Sequence, residues 1–247
     1  MHTLRKHLFL SLAITLVAFW FLGCGGSSSS SNDDEILAEM VAEQASDSSG
    51  QTTIETTEGG TSRDDGPVAV AANGTEMKVL VLGDSNTAGV GVSEPWPDKL
   101  ELALGAPVFR QGVEGSNSAD GLARLPGAID QFQPTHVCLQ FGDVDALQLI
   151  DPSITLNNLG VMVDICTARG LPVVVGTLVP LINVDAERNA IRLVTDNGIG
   201  LATARGARVA RISEAFGEGT TLMQADGIHA NDAGHAIIAS LYLEQLR

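Results

Sequence analysis

Residues suited to acyl transfer sit near the two ends of the globular part of the chain: the serine of Gly83-Asp84-Ser85, and the acid and imidazole of Asp226-Gly227-Ile228-His229. A hydrolytic serine needs a base within hydrogen-bond reach, a group that orients the base, and donors for the oxyanion. An acid and a histidine three residues apart, on a loop entering a helix, can set the carboxylate against one ring nitrogen. The other nitrogen is then free to face Ser85. Gly115 lies in a turn and has no side chain to shield its N–H, which can donate to an oxyanion beside the N–H of Ser85. Each piece alone has a plainer reading. Gly-Asp-Ser also makes ordinary turns, Asp226 can cap the following helix, and Glu114 reads as a solvated carboxylate. His136 lies in an apolar strand and reads as a packed or edge histidine, and His235 as helix surface.

The elements around these residues alternate. Lys78–Leu82 is a continuous apolar run, as expected of a strand buried on both faces. Further strands are predicted at Val108–Gln111, His136–Phe141, Val173–Val175 and Arg208–Ile212. Helical spacing covers Ala119–Phe132 despite Pro126, Ile154–Arg169 with Gly170 as its C-terminal signal, Ala186–Ala204 with a break around Asn197-Gly198, and Ala233–Leu246. Short strands alternating with helices imply a parallel sheet with helices on both faces. Ligands in such sheets bind beyond the carboxyl ends of the strands. Ser85, the Gly112–Ser118 turn and Gly142–Asp145 follow three of those ends.

The N-terminus reads as an address. Arg5 and Lys6 precede an apolar run from Leu8 to Leu22, a length that suits a signal peptide and is short for a membrane span. The run ends in Phe21-Leu22-Gly23-Cys24, which resembles a bacterial lipobox, with Phe21 a departure from the usual leucine. That resemblance implies a signal peptide over residues 1–23, lipidation at Cys24, and a bacterial cell-envelope location on the periplasmic face, with the outer membrane preferred. Residues 24–76 are rich in Ser, Thr, Gly and acids and read as a disordered tether. About 50 such residues reach roughly 40 Å on average. Residues 77–247 form the expected single domain. With 19 acids against 11 bases there, no clustered Lys and Arg exist for a phosphate backbone, and nucleic acid is excluded as a partner. Cys138 and Cys166 form no C-x-x-C pair and read as buried thiols, with a disulfide as the alternative. There is no G-x-S-x-G elbow, no P-loop and no dinucleotide glycine pattern. No metal or other cofactor is called for, and a monomer is expected.

Three blocks carry a family resemblance. Val79–Gly89 (VLVLGDSNTAG), Gly112–Pro126 (GVEGSNSADGLARLP) and Gln224–Asn231 (QADGIHAN) resemble blocks of the SGNH (GDSL-type) hydrolases, nearest the thioesterase I/lysophospholipase L1 (arylesterase-like) group. The resemblance implies a flavodoxin-like three-layer α/β/α sandwich with a five-stranded parallel sheet of order 2-1-3-4-5. It implies Ser85 as nucleophile, His229 as base, Asp226 as its orienter, and the N–H groups of Ser85 and Gly115 in the oxyanion hole. One block departs. The family's Gly-x-Asn-Asp is Gly142-Asp143-Val144-Asp145 here, so Val144 stands where an asparagine amide would be the third oxyanion donor. Asn117 is a candidate replacement, whereas an ionised Asp143 is not, because it can only accept. Two functions follow from the resemblance. One is an envelope-anchored serine esterase, slowed by the missing donor, acting on a small acyl ester, a lysophospholipid or an acetylated glycan. The other is a non-catalytic SGNH-fold module that binds a glycan, lipid or protein at the envelope.

Overall fold

The computed structural model describes residues 76–217 and 219–247; the leader, Cys24 and nearly all of the tether lie outside the described residues. Five parallel strands form the sheet: β1 (Val79–Gly83), β2 (Val108–Gly112), β3 (His136–Gln140), β4 (Val173–Gly176) and β5 (Arg208–Ala210). Their order is β2-β1-β3-β4-β5, as the resemblance implies. Side chains alternate, and the inner strands β1, β3 and β4 are buried on both faces, whereas edge strand β2 exposes Arg110 and edge strand β5 exposes Arg208. Val79, Val81, Cys138, Val174 and Ala210 pack against Trp96, Leu100, Ile238 and Tyr242. Leu80, Leu82, Val137, Leu139 and Val175 pack against Leu125, Ile129, Leu159, Met162 and Ile199. Two cores, one on each side of one sheet, are why the inner strands read as continuous apolar runs instead of alternating ones.

The helices between strands are α1 (Ser85–Ala88), α2 (Trp96–Leu104), α3 (Ser118–Phe132), α4 (Asp143–Leu147), α5 (Pro152–Ala168) and α6 (Ala186–Ile199), and α7 (Ile212–Phe216) and α8 (Asp232–Leu246) follow β5. The long ones, α3, α5, α6 and α8, stand where the spacing predicts. The break expected at Asn197-Gly198 comes slightly later, where Gly200–Arg205 tightens into a 3-10 turn. The strand expected over Arg208–Ile212 stops at Ala210, because Ile212 already opens α7. The second helix, α2, begins at Trp96-Pro97, where a proline in the first turn lacks only an N–H that the helix leaves unpaired. Its Trp96 ring stacks on Tyr242 of α8 at 4.4 Å, and the Tyr242 hydroxyl donates to the Leu139 carbonyl at 2.8 Å. Cys138 and Cys166 are buried free thiols. Burial pushes both thiols up, Cys166 to about 12, so neither is a thiolate nucleophile at neutral pH.

Candidate active site

The site is built from three strand ends and one loop. After β1, the Asp84 side chain caps the four-residue α1 by accepting from the Asn86 N–H at 2.9 Å. Ser85 is the first residue of that helix and is 6% exposed. The neighbouring end of β2 must come very close. A Cβ on Gly112 would lie 2.3 Å from the Ala88 nitrogen, so only glycine fits there. The chain then turns through Gly115, whose φ of +73° favours glycine. Arg124 braces the turn by donating to the Gln111 carbonyl at 2.9 Å and to Ser116 Oγ at 2.8 Å. Beside it opens a hollow of about 360 Å³ lined by Val113, Glu114, Gly115 and Arg124, with Glu114 exposed as expected.

The acid and the histidine come from the loop before α8. Asp226 Oδ1 accepts from the N–H groups of Ile228 and His229 at 2.9 and 3.0 Å. Asp226 Oδ2 lies 2.7 Å from His229 Nδ1. On the other side of the ring, His229 Nε2 lies 2.9 Å from Ser85 Oγ. A carboxylate on Nδ1 fixes the ring proton there, leaving the Nε2 lone pair to accept from the serine hydroxyl. Burial raises Asp226, but the hydrogen bonds from the His229 ring and from the Ile228 and His229 N–H groups outweigh it, and the carboxyl sits below its ordinary value. Asp226 is therefore a carboxylate at neutral pH, held against Nδ1 of the ring that faces Ser85.

The rest of the expected machinery is distributed differently. Gly142 caps α4, and Val144 in its first turn is 6% exposed and supplies no side-chain donor. Asn117 does not replace it. Its Oδ1 caps α3 by accepting from Ala119 and Asp120, and its amide donates to Gln148 Oε1 at 2.9 Å. Asp145 is a buried tie, accepting from the Ser118 N–H at 2.9 Å and from the Ser118 and Thr155 hydroxyls. Among the described residues, the N–H groups of Ser85 and Gly115 donate to no protein acceptor. His136 starts β3, at the far end of the sheet from the strand ends that carry Ser85. His235 corrects the expectation of a surface histidine. It is fully buried on the stripe that continues through Ile238, Ala239 and Tyr242, and its Nδ1 accepts from the Trp96 N–H at 3.0 Å. Burial drives its pKa down to about 4, so the ring is neutral. Among the described residues, no three His, Cys, Asp or Glu side chains converge as a metal site needs.

Comparison with known proteins places the chain. The profile of the GDSL-like lipase/acylhydrolase family matches residues 81–237. The chain belongs to that family, and with it to the carboxylic ester hydrolases. It is similar to an arylesterase of Vibrio mimicus, at 34% identity over 111 residues, 42% of this chain and 56% of that protein. It is similar to esterase TesA of Pseudomonas aeruginosa, at 30% identity over 66% of this chain and 84% of that one. A crystal structure of TesA superimposes with a TM-score of 0.62 at 26% identity, covering 69% of this chain and 98% of the other.

Beneath Ser85 lies a second carboxyl with a different role. Asp84 is fully buried, and burial outweighs its hydrogen bonds from Asn86 and Thr87 to push it up to about 7. The folded chain keeps a proton that the unfolded chain gives up near pH 4. The contribution of Asp84 to stability is thus complete below about pH 4 and lost as pH climbs through about 7. His235 works in the opposite sense, losing its contribution as pH falls through about 4. An Asp84→Asn variant keeps the acceptor for Asn86 and cannot ionise. The difference in unfolding free energy between variant and parent should grow in favour of the variant from pH 4 to pH 8, by at least about 1 kcal/mol. Urea unfolding at both pH values measures it, and His235 cancels in the difference. A constant difference would show that Asp84 ionises freely.

Proposed function

We propose that this protein is an envelope-anchored serine esterase that cleaves carboxylic esters through Ser85, His229 and Asp226. The observation that carries the reading is the unbroken relay from Asp226 Oδ2 through both ring nitrogens to Ser85 Oγ, at 2.7 and 2.9 Å. Ser85 Oγ attacks the ester carbonyl carbon as its proton passes to His229 Nε2, and Asp226 stabilises the imidazolium. The N–H groups of Ser85 and Gly115 receive the developing oxyanion. Collapse expels the alcohol, which takes the proton from His229. Water, deprotonated by the same nitrogen, then releases the acyl group as a carboxylic acid and restores the serine.

Small acyl esters, lysophospholipids and acetylated glycans are the substrate classes that suit this chemistry at an envelope. The envelope location rests on the apolar leader and Cys24. The purified protein should turn over p-nitrophenyl acetate or butyrate, and a fluorophosphonate should label the peptide containing Ser85. Absence of both sinks the proposal. Cells fed an alkyne-tagged palmitate should incorporate it into the full chain and not into Cys24→Ser, and equal labelling of the two removes the anchor.

One observation favours a second reading. With Val144 in place of a donor and Asn117 committed elsewhere, the fold can serve as a binding module. Ligand binding that survives loss of the Ser85 hydroxyl, in a protein without turnover, would establish it.

A further inference from the structure

We propose that Asn86 is a positioning residue that sets the distance between the serine and its base, by gripping both peptide groups that flank His229. This inference rests on the esterase reading above. Asn86 is 1% exposed and directly follows Ser85. Its Oδ1 accepts from the Ala230 N–H at 2.9 Å, and its Nδ2 faces the Ile228 carbonyl at 3.5 Å. Those two groups belong to the peptide units on either side of the His229 Cα.

The other polar contacts of His229 explain why this grip matters. Its N–H donates to Asp226 Oδ1, and its carbonyl accepts from the Gln224 N–H at 2.7 Å. Both partners travel with the same loop, so they shape the loop without fixing where it stands relative to Ser85. Asn86 belongs to the serine-bearing helix, and its own N–H is held by Asp84 Oδ1. It therefore ties the two halves of the site together. Gln224 makes the reciprocal tie from the loop, its Nε2 donating to the Val90 carbonyl at 2.7 Å and to the Ala230 carbonyl at 2.8 Å. Two side-chain amides, reaching in opposite directions, thus hold the 2.9 Å contact between His229 Nε2 and Ser85 Oγ. A shift of about 1 Å in a reacting group is enough to cost on the order of 10²-fold in rate.

The test compares Asn86→Ala and Asn86→Asp with the parent on a chromogenic ester. The alanine variant should lose about 10- to 100-fold in kcat with KM within about threefold, because the grip acts on the base and not on the ester. The aspartate variant keeps an acceptor for Ala230 and should recover most of the rate at high pH. Its added charge favours the imidazolium, so the acid limb of its pH–rate profile should move upward by about half a unit or more. A residue needed only for folding would give neither the recovery nor the shifted limb. Should Asn86→Ala fail to fold, Gln224→Ala breaks the other tie and should show the same kcat-selective loss. A kcat for the alanine variant within threefold of the parent, or no recovery with aspartate at any pH, overturns the proposal. If the parent itself hydrolyses no ester, the proposed function fails separately. The downfield Nδ1 proton resonance of His229 then reads the positioning. Its broadening in Asn86→Ala supports the grip, and an unchanged signal overturns it.

Discussion

Ser85→Ala should lower kcat/KM for an activated ester by roughly 10⁴- to 10⁶-fold while the thermal midpoint stays within a few degrees. Ser85 is 6% exposed and its hydroxyl contacts His229 Nε2, so the substitution would remove the proposed nucleophile and leave the packing intact. Asp226→Asn should cost less, roughly 10²- to 10⁴-fold. Its side chain is 42% exposed, and water can take over part of its hydrogen bonding to the ring. The ordering of the two variants is itself diagnostic. A serine variant that retains a tenth of the activity, with label still bound elsewhere, would assign the chemistry to another nucleophile.

Val144→Asn should raise kcat by roughly 10²- to 10³-fold, the factor that one oxyanion donor contributes in serine hydrolases. Among the described residues, the backbone N–H groups of Ser85 and Gly115 donate to no protein acceptor, which leaves them free for an oxyanion. An amide at position 144, in the first turn of α4 after β3, adds the third. The gain should appear in kcat with KM little changed, because the oxyanion exists only beyond the ground state. The same change should reduce stability. Val144 is 6% exposed, and a half-satisfied amide there costs about 1–3 kcal/mol, or several degrees in the thermal midpoint. Steady-state kinetics and a melting curve on one preparation test both halves. A stable variant with no gain in kcat would place position 144 away from the reacting carbonyl.

What the sequence reveals follows from how local each determinant is. The strands, the four long helices and the serine–histidine–acid set are legible because apolar runs and strand-end positions are short-range patterns. The short helices α1, α4 and α7 have four or five residues and no periodicity to detect. They exist because capping and packing hold them. His235 was readable in principle, since it lies on the same helical stripe as Ile238, Ala239 and Tyr242. Residue type overrode spacing there. The capping role of Asn117 was also within reach, because Asp120 three residues on completes a capping box. Asn86 and Gln224 had no local signal. Ala230, which Asn86 grips, and Val90, which Gln224 reaches, lie at the other end of the domain in sequence, and only the folded backbone brings them together.

The acid and the imidazole share one short loop, while the alcohol arrives from the opposite end of the domain. Sliding that segment away as a unit would unhook the hydroxyl without separating carboxylate from ring. The detached half would keep its carboxylate against Nδ1, and with it the orientation of the ring. Readiness in this molecule is a matter of seating one preassembled half against the other.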